Sequence, residues 1–113
     1  MTKITIRKAT GTWSVRAGGA VIGESRNALE LTEGENTPVI YFPRADIAMA
    51  FLDEGDRTSH CPHKGDARFY SIVTKSQTLE NAAWSYEDPK PDVAEIKDHI
   101  AFYISDRVAV EQI

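Results

Sequence analysis

The chain has 113 residues, of which 42% are hydrophobic and 27% are charged, and these proportions are ordinary for one globular domain and argue against disorder. Its 13 Lys and Arg residues against 17 Asp and Glu residues leave a formal net charge of −4, which disfavours a nucleic-acid partner because a phosphate backbone repels an acidic surface. A single cysteine excludes an internal disulfide, and no apolar run approaches the roughly 20 residues of a membrane span. We therefore expect one cytoplasmic domain over residues 1–113, with neither a nucleic-acid nor a membrane partner.

The first half of the chain predicts short β-strands. Alternation of apolar and polar residues, the pattern of half-buried strands, recurs at residues 4–7, 13–17 and 28–31. Gly18 and Gly19 follow the second of these segments and can adopt the positive φ angles of a tight hairpin, so we expect a turn there. Residues 39–42 form a short apolar strand that Pro43 ends.

The second half predicts one or two helical turns and then more strands. Asp46 is a suitable N-cap, apolar residues recur at helical spacing from Ile47 to Phe51, and residues 53–55 end the segment. Further strands are expected at residues 67–73, 78–86, 100–104 and 107–110. We expect the last two strands to form a closing hairpin. The sequence therefore predicts a mainly β, antiparallel fold with one or two short helices.

Reactive side chains are concentrated at residues 57–66, RTSHCPHKGD, which contain the only cysteine and two of the three histidines. Cys61 is a candidate nucleophile, because nearby cations such as Lys64 and His60 favour the thiolate, the form that attacks. The alternative is a small buried hydrophobe, since free cysteine is among the most buried residue types.

A metal site in this segment is disfavoured. His60, Cys61 and His63 are three potential ligands within four residues, and Pro62 stiffens the backbone between them. The next candidate, Asp66, is a poor ligand for a soft metal. We expect neither a metal nor a cofactor.

Two further positions are candidate contacts for polar ligand groups. Lys64 precedes Gly65 at a predicted bend, which favours contact with an anion, although the phosphate-loop pattern G-x-x-x-x-G-K-[ST] is absent. Ser25 and Arg26 follow a glycine at a turn, and they either bind a polar group or satisfy the local backbone.

The aromatic residues supply a second candidate site. Alternation along a strand places Trp84 and Tyr86 on one face, and with Tyr41 opposite they form a flat slot for a planar ring. The phenylalanines are expected in the core, in particular Phe42, Phe69 and Phe102.

Six stretches occur in the order and spacing of one bacterial family: WSVR at 13–16, ES at 24–25, PVIYFP at 38–43, TSHCPHKGDA at 58–67, AWSY at 83–86 and IAFY at 100–103. Over nearly its whole length the chain thus resembles the domain-of-unknown-function 427 family, which also carries a nucleotidyltransferase-like label. The resemblance implies a β-tent, or Mss4-like, fold of two antiparallel sheets packed at an angle. Relatives on that fold include zinc-bearing exchange-factor-like proteins, B-type methionine sulfoxide reductases and the drug-binding domain of cereblon, which uses an aromatic cage. Their zinc ribbon needs four cysteines, whereas this chain has only Cys61, so we expect no structural zinc.

Two classes of function remain open. In the first, a binding module, Tyr41, Trp84 and Tyr86 stack a small planar or polar ligand while the polar candidates, with His60, hold its edge. In the second, a thiol- or acid–base-dependent enzyme, of which a nucleotidyltransferase-like enzyme is one form, centres on Cys61 and Lys64. A third interpretation is that the motif residues only hold a corner of the sheet. We favour binding, and replacement of Cys61 by Ala discriminates the first two classes because only the enzyme needs the thiolate.

Overall fold

The computed structural model describes residues 3–113, so Met1 and Thr2, which the single-domain prediction includes, lie outside the described residues. Ten β-strands follow one another in this range: β1 Ile4–Lys8, β2 Trp13–Ala17, β3 Ala20–Ser25, β4 Leu29–Glu33, β5 Val39–Pro43, β6 Leu52–Cys61, β7 Gly65–Val73, β8 Thr78–Tyr86, β9 His99–Phe102 and β10 Val108–Gln112. Three short 3₁₀ segments lie between strands, at Arg44–Asp46, Met49–Phe51 and Pro91–Ile96.

The strands form two antiparallel sheets. The large sheet has the order β1-β4-β5-β9-β8-β7-β6, and the small sheet has the order β10-β2-β3. The prediction of a mainly β protein with two antiparallel sheets is confirmed. Among residues 3–113 no helix has the length and apolar character needed to cross a bilayer.

Two apolar clusters lie on opposite faces of the large sheet, because neighbouring residues of one strand point in opposite directions. The inter-sheet core combines side chains from both sheets, including Val15, Ile22, Phe42, Tyr70, Ile100, Phe102 and Val108. The outer cluster lies on the other face beneath the segment Pro91–Ile96 and includes Leu31, Tyr41, Phe69, Tyr86, Val93, Ile96 and Ala101. Phe42, Phe69 and Phe102 are all buried, as predicted.

Three glycines explain local features of the small sheet. Gly18 forms the predicted hairpin turn with Gly19, at φ angles of +56° and +89°, between the paired residues Ala17 and Ala20. Gly23 approaches Ile47 so closely that a Cβ atom there would lie 2.5 Å from the Ile47 Cδ1 atom. This contact, together with a backbone bridge between the same two residues, joins the small sheet to the segment after β5.

Two local predictions are wrong. The helical turns expected from Asp46 are two separate three-residue 3₁₀ segments, and residues 53–55 belong to the exposed edge strand β6. The expected closing hairpin does not form, because β9 pairs in the large sheet with β5 and β8, whereas β10 pairs in the small sheet with β2. Phe102 and Val108 both enter the inter-sheet core, so the chain between them crosses from one sheet to the other.

Candidate functional site

A cavity of about 200 Å³ opens beside the outer cluster. Four residues singled out in the sequence line it together: Tyr41, Lys64, Trp84 and Tyr86. Tyr41 lies on β5 and the other two aromatic residues lie on β8, so the two walls are separated by β9. Ala101 of β9 is buried between them, and its small side chain leaves space for the cavity.

The aromatic wall is held by a hydrogen bond across that space. The Trp84 Nε1–H donates to the Tyr41 hydroxyl oxygen at 3.2 Å, and the two rings meet edge to face with centroids 6.3 Å apart. Because the Tyr41 oxygen accepts this bond, its own O–H is left to donate to another group.

Tyr41 and Tyr86 are held in the neutral form. Burial raises the pKa of Tyr41 to about 12, although the hydrogen bond from Trp84 acts in the opposite direction. Burial is also the largest cause that raises the pKa of Tyr86 above its ordinary value, and the neighbouring Tyr41 adds to the effect. At neutral pH both hydroxyls therefore carry their protons and can serve as hydrogen-bond donors.

A lysine–glutamate pair forms the polar end of the cavity. The Lys64 Nζ atom donates to the Glu33 Oε1 atom at 2.7 Å, and the two side chains are only 12% and 23% exposed. The same ammonium lies 5.8 Å from the centre of the Tyr86 ring, within the range of a cation–π contact. This pair thus presents a donor and an acceptor side by side, with no net charge.

Lys64 is positioned by the turn between β6 and β7. Its backbone N–H donates to the Cys61 carbonyl at 3.2 Å, and its carbonyl accepts from the Lys90 N–H at 2.9 Å. Gly65 follows at φ +114°, and a Cβ atom there would lie 3.3 Å from the Asp88 carbonyl oxygen. Glycine is therefore required for the close approach of this turn to the loop after β8.

Sequence reasoning missed two important residues of the cavity. Tyr103 packs on Trp84 with ring centroids 4.4 Å apart and lies parallel to Phe69 at 6.4 Å, although it is half exposed. Its position at the end of the IAFY stretch was the available signal. Nothing in the sequence marks Glu33 as a site residue, because it ends β4 just before a polar loop and lies 31 residues before its partner Lys64.

A family model described as "Domain of unknown function (DUF427)" matches residues 5–112. The chain belongs to the DUF427 family. A search of the curated proteins finds no relative of this chain. The description of the family states no reaction, so the geometry of this DUF427 protein carries the functional argument.

Ser25 and Arg26 of this DUF427 protein lie outside the cavity. Ser25 is buried, its Oγ–H donates to the Asp46 Oδ2 atom at 2.6 Å, and its oxygen accepts from the Asn27 N–H at 2.9 Å. These contacts are those of a residue that orders a turn. Arg26 is exposed and borders a separate shallow depression beside Lys8.

The two other candidates of the reactive segment are also outside the lining of the cavity. His60 is exposed, and its Nδ1 atom lies 2.7 Å from the Asp66 Oδ1 atom. Cys61 is half-buried against the outer cluster. Within the described range 3–113, no group of three or more His, Cys, Asp or Glu side chains is arranged to hold a metal ion.

Proposed function

We propose that this DUF427 protein is a binding module for a small planar ligand with a polar edge. The observation that carries the proposal is the convergence of the Trp84 and Tyr41 rings with the Lys64–Glu33 pair in one cavity. Pockets of this kind combine apolar walls with a few polar groups that fix the orientation of the ligand. The single cysteine and the acidic net charge favour a cytoplasmic location without a nucleic-acid partner.

The volume limits the size of the ligand. A cavity of about 200 Å³ has room for roughly six water molecules at about 30 Å³ each. This is smaller than the roughly 300–1,000 Å³ of sites for drug-sized molecules. A single aromatic ring with one polar substituent is the class that fits.

The electrostatics favour an uncharged ligand. An anion attracted by Lys64 would also approach the Glu33 carboxylate, which lies 2.7 Å from that ammonium, and a cation would meet the opposite conflict. A carboxamide edge suits both groups, because its carbonyl accepts from Lys64 while its N–H donates to Glu33. We therefore infer a planar ligand with an amide-like edge.

The thiol-enzyme alternative has weaker support. Cys61 packs on the outer cluster and is absent from the lining of the cavity, whereas an enzyme of this type needs its thiol beside the substrate. Cys61→Ala is therefore expected to leave ligand affinity unchanged, and a loss of binding in this variant would favour the enzyme instead.

The proposal can be tested with the two tryptophans as reporters. Only Trp84 of the two lines the cavity, so titration with benzamide is expected to shift its indole N–H signal in a ¹H–¹⁵N spectrum and to leave that of Trp13 in place. A ligand of this size binds with an affinity of roughly millimolar order. Benzoate and benzylammonium, which have the same ring and a net charge, are expected to bind at least about fivefold more weakly.

A matched pair of variants supplies the control. Lys64→Met keeps most of the side-chain volume and removes the donor, so benzamide affinity is expected to fall roughly tenfold or more. Lys75→Met removes an exposed lysine from the turn between β7 and β8 and is expected to bind as the wild type does. Equal affinity in all three proteins, or no shift of the Trp84 signal with any of the three compounds, would overturn the proposal.

A further inference from the structure

The large sheet is split beside the cavity. Strands β5 and β9 pair only at Phe42–Ile100 and Pro43–His99. Continuing the same register would bring Val39 opposite Tyr103, but no pairing is formed there. The two strands are thus paired at one end only, and the unpaired end at Val39 and Tyr103 is the split of the sheet.

An apolar groove of about 400 Å³ lies at this split. Ile40, Phe102 and Ile104 of the large-sheet side border it, and Trp13 and Val110 of the small sheet form its other wall. Four residues line the groove and the cavity alike, namely Thr37, Val39, Trp84 and Tyr103. The two spaces are thus neighbours, with the Trp84 and Tyr103 rings at their common boundary.

Two polar groups at the groove, the Glu30 carboxylate and the Trp13 indole N–H, already have partners. Glu30 is its one charged residue, and its carboxylate accepts from the Arg7 Nε–H at 2.7 Å. The Trp13 Nε1–H donates to the Thr10 carbonyl at 3.0 Å, so the indole presents only its apolar surface to the groove. A polar occupant would gain little here, whereas an apolar chain would cover Ile104, which is 69% exposed.

We propose that the ligand of this protein carries an unbranched apolar chain that extends from its planar head through the split into the groove. This inference rests on the proposed function, because the head occupies the cavity. The chemical class is therefore an amphiphile with an uncharged amide-like ring at one end and an alkyl chain at the other. The four lining residues that the groove shares with the cavity favour a ligand chain as occupant over a second protein surface.

The experiment compares benzamide with 4-butylbenzamide, which carries a four-carbon alkyl chain at the ring position opposite the carboxamide. In a partly open groove each carbon of the chain is expected to tighten binding by about twofold, which gives roughly fifteenfold in all. Benzamide is expected to shift only the Trp84 indole signal, whereas the butyl compound is expected to shift the Trp13 signal as well, because Trp13 lines only the groove.

Two exposed isoleucines provide a matched pair of variants. Ile104→Ser is expected to remove most of the gain from the butyl chain and to leave benzamide affinity unchanged, because Ile104 does not line the cavity. Ile113→Ser alters a side chain of similar exposure, 67%, that does not line the groove, and it is expected to keep the full gain. Nonspecific adsorption of the chain would instead give equal gains in both variants.

The outcomes separate the two proposals. If the butyl compound binds no tighter than benzamide, or tighter without a shift of the Trp13 signal, the groove proposal is overturned while the head site stands. If neither compound shifts the Trp84 signal, both proposals fall. A concentration-dependent dimer in sedimentation that Ile104→Ser abolishes would also overturn the groove proposal and assign this surface to a second copy of the chain.

Discussion

The two faces of the large sheet are built by the same alternation of side chains but differ in what their polar atoms do. On the inter-sheet face Phe42 meets Phe102 edge to face at 6.0 Å, and the one tyrosine, Tyr70, accepts from the Arg44 Nη1–H at 3.1 Å. On the outer face three tyrosines, Tyr41, Tyr86 and Tyr103, converge with an ion pair around an open volume. Burial alone does not distinguish a core from a site. The arrangement of the polar tips does.

Truncation of a phenylalanine on each face is the largest expected difference. Phe42 is fully buried in the inter-sheet core, so Phe42→Ala is expected to lower the free energy of unfolding by about 3–5 kcal/mol. Phe69 already borders the cavity, so Phe69→Ala is expected to cost only about 2 kcal/mol. Urea unfolding of both variants measures this, and equal losses would contradict a distinction between a packed face and an open one.

The buried tyrosines of the outer face predict a loss of stability at high pH. The unfolded chain releases the Tyr41 proton near pH 10, whereas the folded protein holds it to about pH 12. The folded state therefore binds more protons between these values, and stability falls as pH rises through that window. The contribution is intact below pH 10, and a shift of two pH units corresponds to roughly 2–3 kcal/mol.

Tyr41→Phe isolates this effect. Denaturant unfolding of the wild type and the variant at several pH values from 9 to 11 is expected to show a shallower decline for the variant, because the group that titrates has been removed. Parallel declines would assign the alkaline loss of stability to other groups.

Two ion pairs of different exposure test the difference between the site and the rest of the surface, with smaller expected energies. A double-mutant cycle on Lys64→Met and Glu33→Gln is expected to give a coupling energy of about 1–2 kcal/mol, because both side chains are largely shielded from water. The matched cycle on Arg16→Met and Glu111→Gln is expected to give less than about 0.5 kcal/mol, since that pair is 57% and 54% exposed on the small sheet. Equal coupling energies would remove the electrostatic distinction between site and surface.

The smallest expected effect concerns Cys61 at the margin of the outer cluster. Its thiol is half-buried, so labelling of the native protein by a thiol reagent is expected to be measurable but roughly ten times slower or more than labelling in denaturant. Reaction only after unfolding would place Cys61 in the core and would further weaken the enzyme alternative.

The parts of the fold that the sequence predicts are those set by local chemistry. The Gly18–Gly19 turn and the β7–β8 hairpin follow from turn residues and alternation, and the end of β5 follows from Pro43. Strand β6, Leu52–Cys61, is not predicted from the sequence, because an exposed edge strand carries charged residues in place of an apolar alternation. The β9–β10 hairpin was predicted wrongly because local turn chemistry does not say which sheet a strand joins.

The candidate site shows the same limit: local patterns mark some of its residues, whereas contacts between distant segments cannot be read from the sequence. Tyr41, Trp84 and Tyr86 could be proposed from the sequence because alternation and the family resemblance both mark them. Glu33 could not, since its contact with Lys64 depends on how β4 and the β6–β7 turn meet in space. Ser25, in contrast, belongs to the ES stretch of the family resemblance, but its hydroxyl bonds to Asp46 at a turn outside the cavity.

The small sheet combines strands from the two ends of the described chain, and this order affects how the protein folds during synthesis. Its first two strands lie near one end of the described chain and β10 lies near the other, joined by pairs such as Val15–Val110. During synthesis the β2–β3 hairpin leaves the ribosome early, and the edge of β2 has no strand to pair with until β10 emerges. The strands of the large sheet all precede β10, so they can pair in the meantime. Nascent chains stalled before residue 108 are therefore the species most in need of a chaperone.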